Sequence, residues 1–434
     1  MTEIESAWDR YPEYRIDIRP CRATARAWLG DLLLAESDSC LLVEETKHVD
    51  RLYFLEGDVR WELFEPTDLH TICPFKGQAD YWTVTASDPR EENVVWTYRE
   101  PMVEVAGIKG FVCFYQERVR IVLEEHWPGE DDARSVVTTS FPAWGDAGDL
   151  LRLMDVEPVG PNRFVGPAFR APSYRETMVR DVVEGGQMLG QGVVAASKTI
   201  PHQRVTSGFM IFSKSATFYE PLDVTVDALR SGKTYSTAEV RIDQDDVMRS
   251  VGLFLFDSGA PDVIRGSVEM PAVPGPTDSE PLDMGVTGRD LRIVDDAYRR
   301  HPDEVGPPEI YAWCRFAHAP AEPYLHAALM VQSMTHWTIA AAMRAHAGIG
   351  EDAAHDTLST GIMSIAVAFH DPVDVTNWLL YTNPAVYAGQ GQAQGEGRVF
   401  TQDGRLVSTY SIQAMIRGFT QPLSTMGLDS SKAM

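Results

Sequence analysis

From Asp149 onward the chain shows one order of elements twice: a helical segment, then several long strands. The first helix is expected over residues 186–199, ending before Pro201. Its strands are expected over 209–218, 222–229, 236–242 and 251–256. The second helix is expected over 323–345, with strands over 362–369, 378–384, 397–401 and 405–416. Gln402-Asp403-Gly404 reads as the turn of a hairpin, because glycine accepts positive φ. One helix followed by a set of long strands fits a helix wrapped by an antiparallel sheet. Two such units would join their sheets edge to edge.

The sequence before Asp149 has a different pattern. Short apolar runs such as Leu41-Leu-Val, Arg51-Leu-Tyr-Phe-Leu, Val94-Val-Trp and Gly110-Phe-Val-Cys-Phe-Tyr are aromatic or β-branched and separated by turn residues. They read as strands. The expected organisation is α+β: a β-rich domain over 1–127, a linker over 128–148, and two helix-plus-sheet units over 149–275 and 291–425. The stretch 270–290, rich in proline and glycine, is the spacer between the two units.

At roughly 100–200 residues per domain, 434 residues make two to four domains. The net charge of −25 repels phosphate backbones and anionic lipid, so neither nucleic acid nor a membrane surface is expected as a partner. An anionic ligand would need a local basic patch. The polar, acidic start Met1-Thr-Glu-Ile-Glu-Ser lacks the basic and apolar regions of a signal peptide. The most apolar helical stretch, 325–343, contains Gln332, Ser333, Thr335, His336 and Thr338, which suits a buried helix better than a bilayer span. Five widely spaced cysteines without a CxxC pair fit a reduced, cytoplasmic protein.

Particular residues carry a resemblance. Glu184-Gly-Gly-Gln-Met-Leu-Gly-Gln-Gly, Phe218-Tyr-Glu-Pro-Leu-Asp and Leu229-Arg-Ser-Gly-Lys-Thr-Tyr lie in the first unit. Phe369-His-Asp-Pro, Trp378-Leu-Leu-Tyr and Phe400-Thr-Gln-Asp-Gly-Arg-Leu-Val lie in the second. In order and spacing, residues 149–420 resemble the acyl-CoA thioesterase II family. The resemblance implies a fused double hotdog: two helices, each wrapped by antiparallel sheet. It also implies thioester hydrolysis, with an acyl-CoA or acyl-carrier substrate and no cofactor beyond the coenzyme A moiety of that substrate. In the first domain, Cys73-Pro-Phe-Lys-Gly-Gln-Ala-Asp-Tyr-Trp, Trp96-Thr-Tyr-Arg-Glu-Pro and Ile108-Lys-Gly-Phe-Val-Cys-Phe-Tyr are similar to a bacterial family of unknown function, family 427. That match implies a small β-rich domain and no activity.

The thioesterase II family activates its water with an Asp, a Thr and a Gln. The resemblance carries these positions onto Ser333, Ile362 and Ile412, with Gln413 beside the last, so all three residues are replaced. Isoleucine cannot hold a water by hydrogen bonding, and serine is a poor base. Ser333 and His336 are three apart on a helix, hence neighbours on its surface, and form either a nucleophile–base pair or two satisfied polar groups. Gly185, Gly186 and Gln187 open the first helix. Their free amides suit a thioester carbonyl, or the glycines only let the sheet approach. Leu329, Met330 and Trp337 are expected to line an apolar acyl channel. No metal site is expected, and no Walker loop, HExxH or GxSxG occurs.

Other residues invite blander readings. His370 and Asp371 are adjacent on an extended segment and point to opposite faces. Cys73 beside Lys76 is more often structural than reactive. Two functions remain open: an acyl-thioester hydrolase weakened by its altered triad, and a protein that binds acyl thioesters or serves as a scaffold without cleaving. A homo-oligomer is compatible with either, although a double hotdog already supplies the pairing that single-hotdog chains obtain by dimerising.

Overall fold

The computed structural model describes residues 6–11, 14–21, 23–45, 48, 50–87, 90–116, 118–126, 136–141, 149–167, 182–217, 220–284, 286, 288–298, 304–354 and 357–418. Part of the expected linker, Phe218 and Tyr219 of the first-unit motif, and residues 419–425 lie outside this set. The chain divides into two compact units. The first is built on Met1–Asp149 and the second on Leu150–Ala171, Met178–Leu282 and Arg289–Met434.

The first unit holds two antiparallel sheets. One runs β1 (Ile16–Pro20), β4 (Leu41–Glu45), β5 (Arg51–Leu55), β9 (Phe111–Phe114), β8 (Glu91–Thr97), β7 (Gly77–Val84) and β6 (Phe64–Cys73). The other runs β11 (Val136–Phe141), β10 (Arg120–His126), β2 (Thr24–Leu29) and β3 (Leu32–Ser37). The period-2 pattern of the apolar runs feeds two cores. On β5, Leu52 and Phe54 enter one with Leu34, Leu42 and Phe114, while Tyr53 enters the other with Tyr81, Trp96 and Tyr98. β11 corrects an expectation. It lies within the stretch read as linker, yet Ile121↔Phe141 through His126↔Val136 pair it to β10, so the sheet continues past Trp127. Its β-branched residues, Val136, Val137, Thr138 and Thr139, suit a strand.

The second unit is one thirteen-stranded sheet with its helices against it. The order begins β12 (Glu157–Gly160), β13 (Arg163–Gly166), β15 (Leu222–Arg230), β16 (Tyr235–Gln244), β17 (Val247–Asp257) and β14 (Arg204–Phe212). It continues β21 (Leu358–Phe369), β24 (Leu406–Gly418), β23 (Gln392–Thr401), β22 (Leu379–Gly389), β20 (Glu309–Phe316), β19 (Arg289–Ile293) and β18 (Glu280–Pro281). The halves join where β14 pairs β21, from Ser207↔Ala368 to Ile211↔Ser364. The expected edge-to-edge sheet is therefore present. Helix α1 (Asp149–Met154) precedes β12. Helix α2 (Gly185–Thr199) is buried from Gly186 to Ser197, as a helix enclosed on all sides must be. The Gln402-Asp403-Gly404 turn closes β23 onto β24, with Gly404 at φ +90°.

Several boundaries differ from expectation, among them the starts of β17, β21 and β23 and the end of β22, which extend four or five residues beyond the expected strands. β14 starts at Arg204 and ends at Phe212, because Ser213 and Lys214 donate to the Arg249 carbonyl and leave the ladder. The single helix expected over 323–345 is broken into α3 (Pro323–Gln332), a 3₁₀ turn at Ser333–His336 and α4 (Thr338–Arg344). The second helix-plus-sheet half, expected from 291, also starts earlier. β19 begins at Arg289, and the spacer supplies the edge strand β18 while Met270 and Val273 pack over Trp313, Leu380 and Phe400.

Candidate active site

The two central helices meet at glycines of α2. A Cβ built on Gly186 would stand 2.5 Å from the Gln332 carbonyl oxygen and 2.8 Å from the Thr335 Oγ1. One on Gly190 would stand 3.0 Å from the Ala328 carbonyl oxygen. Gly186 thus admits the other helix and Gly190 admits it together with Met154 of α1, whose Sδ would stand 2.5 Å away, while Gly185 meets the sheet at Phe212 and Gly192 meets it at Met210, Phe254 and Val240. The first intrahelical bonds of α2 run from the Gln187 and Met188 amides to the Glu184 carbonyl. The Gly185 and Gly186 amides come before that ladder starts, as the first donors of any helix do. The Gln187 side chain is held in place, its Nε2 donating to the Pro167 carbonyl at 2.9 Å.

Ser333, fully buried, sits at the helix break. The residue organising it is Arg289 of β19, 3% exposed, which the sequence reading did not single out. Arg289 Nη1 lies 2.7 Å from Gln332 Oε1, 2.8 Å from His336 Nε2 and 3.4 Å from Ser333 Oγ. One nitrogen with two hydrogens makes the two short bonds. A guanidinium only donates, so the His336 Nε2 lone pair accepts and is committed to Arg289. The Ser333 hydroxyl has Gln332 Oε1 at 3.3 Å and Cys314 Sγ at 3.6 Å. Ser333 and His336 therefore share a cation, and neither is the other's partner in these bonds. Gln332 Nε2 reaches Glu184 Oε2 at 3.2 Å, which ties the start of α2 to the end of α3. Burial pushes the Cys314 thiol up to about 12, so it is a weak donor here and no nucleophile.

Ile362 and Ile412 stand on adjacent strands. Ile412 is fully buried opposite Ile365, and Ile362 lies opposite Ala414, across a bulge at Met363. Gln413 is exposed on the other face, with Ser364 Oγ 3.4 Å from its Oε1. Strand alternation separates it from Ile412, so a one-residue shift does not bring it to the same place. Leu329, Met330 and Trp337 are all buried. The Met330 carbonyl accepts from the Tyr381 hydroxyl at 3.0 Å. The Trp337 ring meets Tyr298 edge-on at 5.8 Å, and its Nε1 has no hydrogen-bond partner among the described residues. Between β24 and β22 the Tyr410 hydroxyl donates to Asn383 Oδ1, a second buried pair absent from the sequence reading.

In the first unit the motif around Cys73 resolves into packing. Lys76 pairs with Glu45, which also accepts from the Tyr14 hydroxyl at 2.7 Å. Asp80 accepts from His70 and Arg99 at the surface. In the second unit, His370 Nε2 meets Thr409 Oγ1 and Asp371 pairs with Arg265, so that pair divides as alternation requires. Among the described residues no group of three or more His, Cys, Asp or Glu could hold a metal. None of their helices is long and apolar enough to cross a membrane.

Comparison with known proteins agrees with this architecture. Residues 174–256 match the model of the acyl-CoA thioesterase N-terminal domain, and residues 267–416 that of the acyl-CoA thioesterase C-terminal domain. The second unit has the domains of an acyl-CoA thioesterase. Residues 17–125 match a domain of unknown function, DUF427. Human acyl-coenzyme A thioesterase 8 is 24% identical over 314 residues, 63% of this chain and 93% of that protein. Acyl-CoA thioesterase 2 of Haemophilus influenzae is 22% identical over 253 residues, 54% of this chain and 87% of that protein. Among solved structures, a tesB protein of Mycobacterium avium subspecies paratuberculosis superposes with a TM-score of 0.52 at 23% identity. The match covers 62% of this chain and 99% of that one. A hot dog fold protein from Alicyclobacillus acidocaldarius gives 0.51 at 17%, over 62% and 98%. These likenesses establish the double hotdog fold of the thioesterase-like unit.

Proposed function

We propose that the thioesterase-like unit binds an acyl-CoA or acyl-carrier thioester beside the contact between α2 and α3, and hydrolyses it weakly. The observation that carries this reading is the meeting of Gly186 with Gln332 and Thr335, which sets the start of α2 next to the break in the second helix. Backbone amides at a helix start suit the developing oxyanion of a thioester carbonyl. Leu329, Met330 and Trp337 give the acyl chain apolar neighbours. Weak turnover follows from Ser333, Ile362 and Ile412 at the positions of the family's Asp, Thr and Gln. The test is thiol release from a chain-length series of acyl-CoAs. Slow release that depends on chain length supports the reading. Vigorous turnover surviving Ser333→Ala with Gln413→Ala overturns the assignment of these positions.

A second reading has its own support. The His336 lone pair accepts from Arg289, which leaves Ser333 without a base at that nitrogen. On this reading the unit holds its acyl thioester without cleaving it. Mass spectrometry of the purified protein separates the two, since a retained intact acyl-CoA favours the second and its rapid hydrolysis counts against it.

A further inference from the structure

With Ser333 at the position of the family's Asp, the second helix supplies no carboxylate there, but the first helix brings one to the same contact. Glu184 is the residue from which α2 starts, and its carbonyl accepts from the Gln187 and Met188 amides. Side chains at this position commonly accept from the leading amides of their own helix. That of Glu184 makes no such bond. Its Oε2 accepts instead from Gln332 Nε2 of α3, at 3.2 Å. The Val183 amide, bonded to the Ala216 carbonyl at 2.8 Å, fixes the backbone just before it. Gln332 aims the contact. Its Oε1 accepts from the Arg289 guanidinium at 2.7 Å, and a guanidinium only donates, so the amide turns its oxygen to Arg289 and its NH2 to Glu184. Ser333 is the next residue, with its hydroxyl 3.3 Å from the same Oε1. One oxygen of Glu184 is thus held a single side chain away from the position of the family's Asp. The other, Oε1, makes no hydrogen bond among the described residues, and Glu184 is half-buried. A carboxylate fixed by one oxygen and open at the other can take a proton from water. Asp290, next to Arg289 in sequence, is committed to Arg292 and Arg315.

We propose that Glu184 is the general base of this site, performing from α2 the task that the family's Asp performs from the second helix. This rests on the reading that an acyl thioester is bound beside the contact between α2 and α3. Glu184 removes a proton from a water as the water oxygen bonds to the thioester carbonyl carbon, and the C=O electron pair moves onto the carbonyl oxygen. The tetrahedral intermediate then re-forms C=O and breaks its C–S bond. The proton on Glu184 passes to the departing thiolate, so a free acid and a thiol leave and the carboxylate is restored. Thioester and water supply every atom of the products. Arg289 is a positioning residue in this scheme, since it orients the Gln332 amide that holds Glu184. Slow turnover follows from the same geometry. The base is steadied by one bond of 3.2 Å, and Ile362 and Ile412 offer the water no second hydrogen bond.

The experiment measures thiol release by the full chain from the acyl-CoA it cleaves fastest, and binding of the same acyl-CoA by equilibrium dialysis. Glu184→Gln has nearly the same shape and can still accept from Gln332. It should lower kcat by about 10²-fold or more while Kd and the urea midpoint stay near those of the wild type. Glu184→Ala should lose the same activity, and added formate, a small carboxylate, should restore part of it. A single turnover in heavy-oxygen water should label the released acid and leave Glu184 unlabelled. Wild-type turnover by Glu184→Gln, or label in Glu184, which marks a nucleophile, would overturn the proposal and leave the hydrolytic reading standing. Loss of binding and of the urea midpoint together in Glu184→Gln would overturn it in favour of a structural tie. A wild-type chain that binds the acyl-CoA and releases no thiol would overturn both this proposal and the hydrolytic reading, and one that binds none would overturn the reading of the site itself.

Discussion

The carbonyl oxygen of Gln332 stands 2.5 Å from where a Cβ on Gly186 would be. The two central helices meet there backbone to backbone, at the start of one and the break in the other. Neither side can yield by changing a rotamer, since the atom opposite Gly186 belongs to the main chain.

Gly186→Ala should therefore destabilise the chain. Alanine improves helix propensity by up to ~1 kcal/mol, but overpacking a buried contact costs about 1–3 kcal/mol, and a main-chain obstacle puts this site at the upper end. Urea denaturation should show the loss. A neutral or stabilising result would mean that the helices separate freely at this point.

Arg289→Met should cost more than an ordinary surface change. It leaves Gln332 Oε1 and His336 Nε2 without the donor that reaches both, and an unsatisfied buried group costs about 1–3 kcal/mol. Arg289→Lys should recover only part, because an ammonium lacks the planar fork. Equal stability of Lys and Met variants would show that charge alone, without geometry, matters here.

Asp290 gives a pH dependence of defined sign. It lies among Arg292 and Arg315, yet burial outweighs both and holds its pKa above the ordinary carboxylate value. Burial likewise lowers the pKa of Arg315. A raised folded-state pKa means that the folded chain holds this proton more tightly than the unfolded chain. The stabilising contribution is then complete below the unfolded value of about 3.9 and fades as pH rises through the folded value. Asp290→Asn, neutral throughout, should gain on the wild type across that rise in pH. Parallel stability curves for the two proteins would remove Asp290 as the cause.

Thiol reactivity should single out one cysteine. Cys21, Cys40, Cys113 and Cys314 are buried, and Cys73 is partly exposed. Burial raises the pKa of both Cys40 and Cys314, so their thiolates are scarce at neutral pH. Alkylation of the native protein, read by peptide mass spectrometry, should modify Cys73 first. Early modification of Cys314 would contradict the packing around Ser333.

Restoring the family's pattern with Ser333→Asp, Ile362→Thr and Ile412→Gln should raise hydrolysis and lower stability together. Ile412 is fully buried, and burying an isoleucine contributes roughly 1.5–3 kcal/mol. An aspartate at 333 would have Arg289 beside it to hold its charge. Thiol release and denaturation midpoints measure the two effects. A triple variant that is neither faster nor less stable would show that these positions do not form the site.

Local chemistry was sufficient for much of the second unit. The apolar helix before Pro201, the strands with alternating burial and the glycine of the Gln402-Asp403-Gly404 turn all depend on near neighbours, and each lies close to where the sequence places it. The order of elements, taken twice, was enough to expect two sheets in one. Tertiary contacts decided the rest. Which of Ile412 and Gln413 faces inward depends on the parity of pairing with β21, across a bulge that no local pattern announces. The break at Ser333 lies in a stretch whose residues would continue a helix. Arg289, in a glycine-containing spacer, was not singled out from the sequence, yet it is buried, with Gln332 and His336, more than forty positions away, supplying the acceptors that a buried guanidinium needs. Sequence determines what each segment can bury on its own, but a charge or a strand face is committed only when the partner that compensates it arrives from elsewhere in the chain.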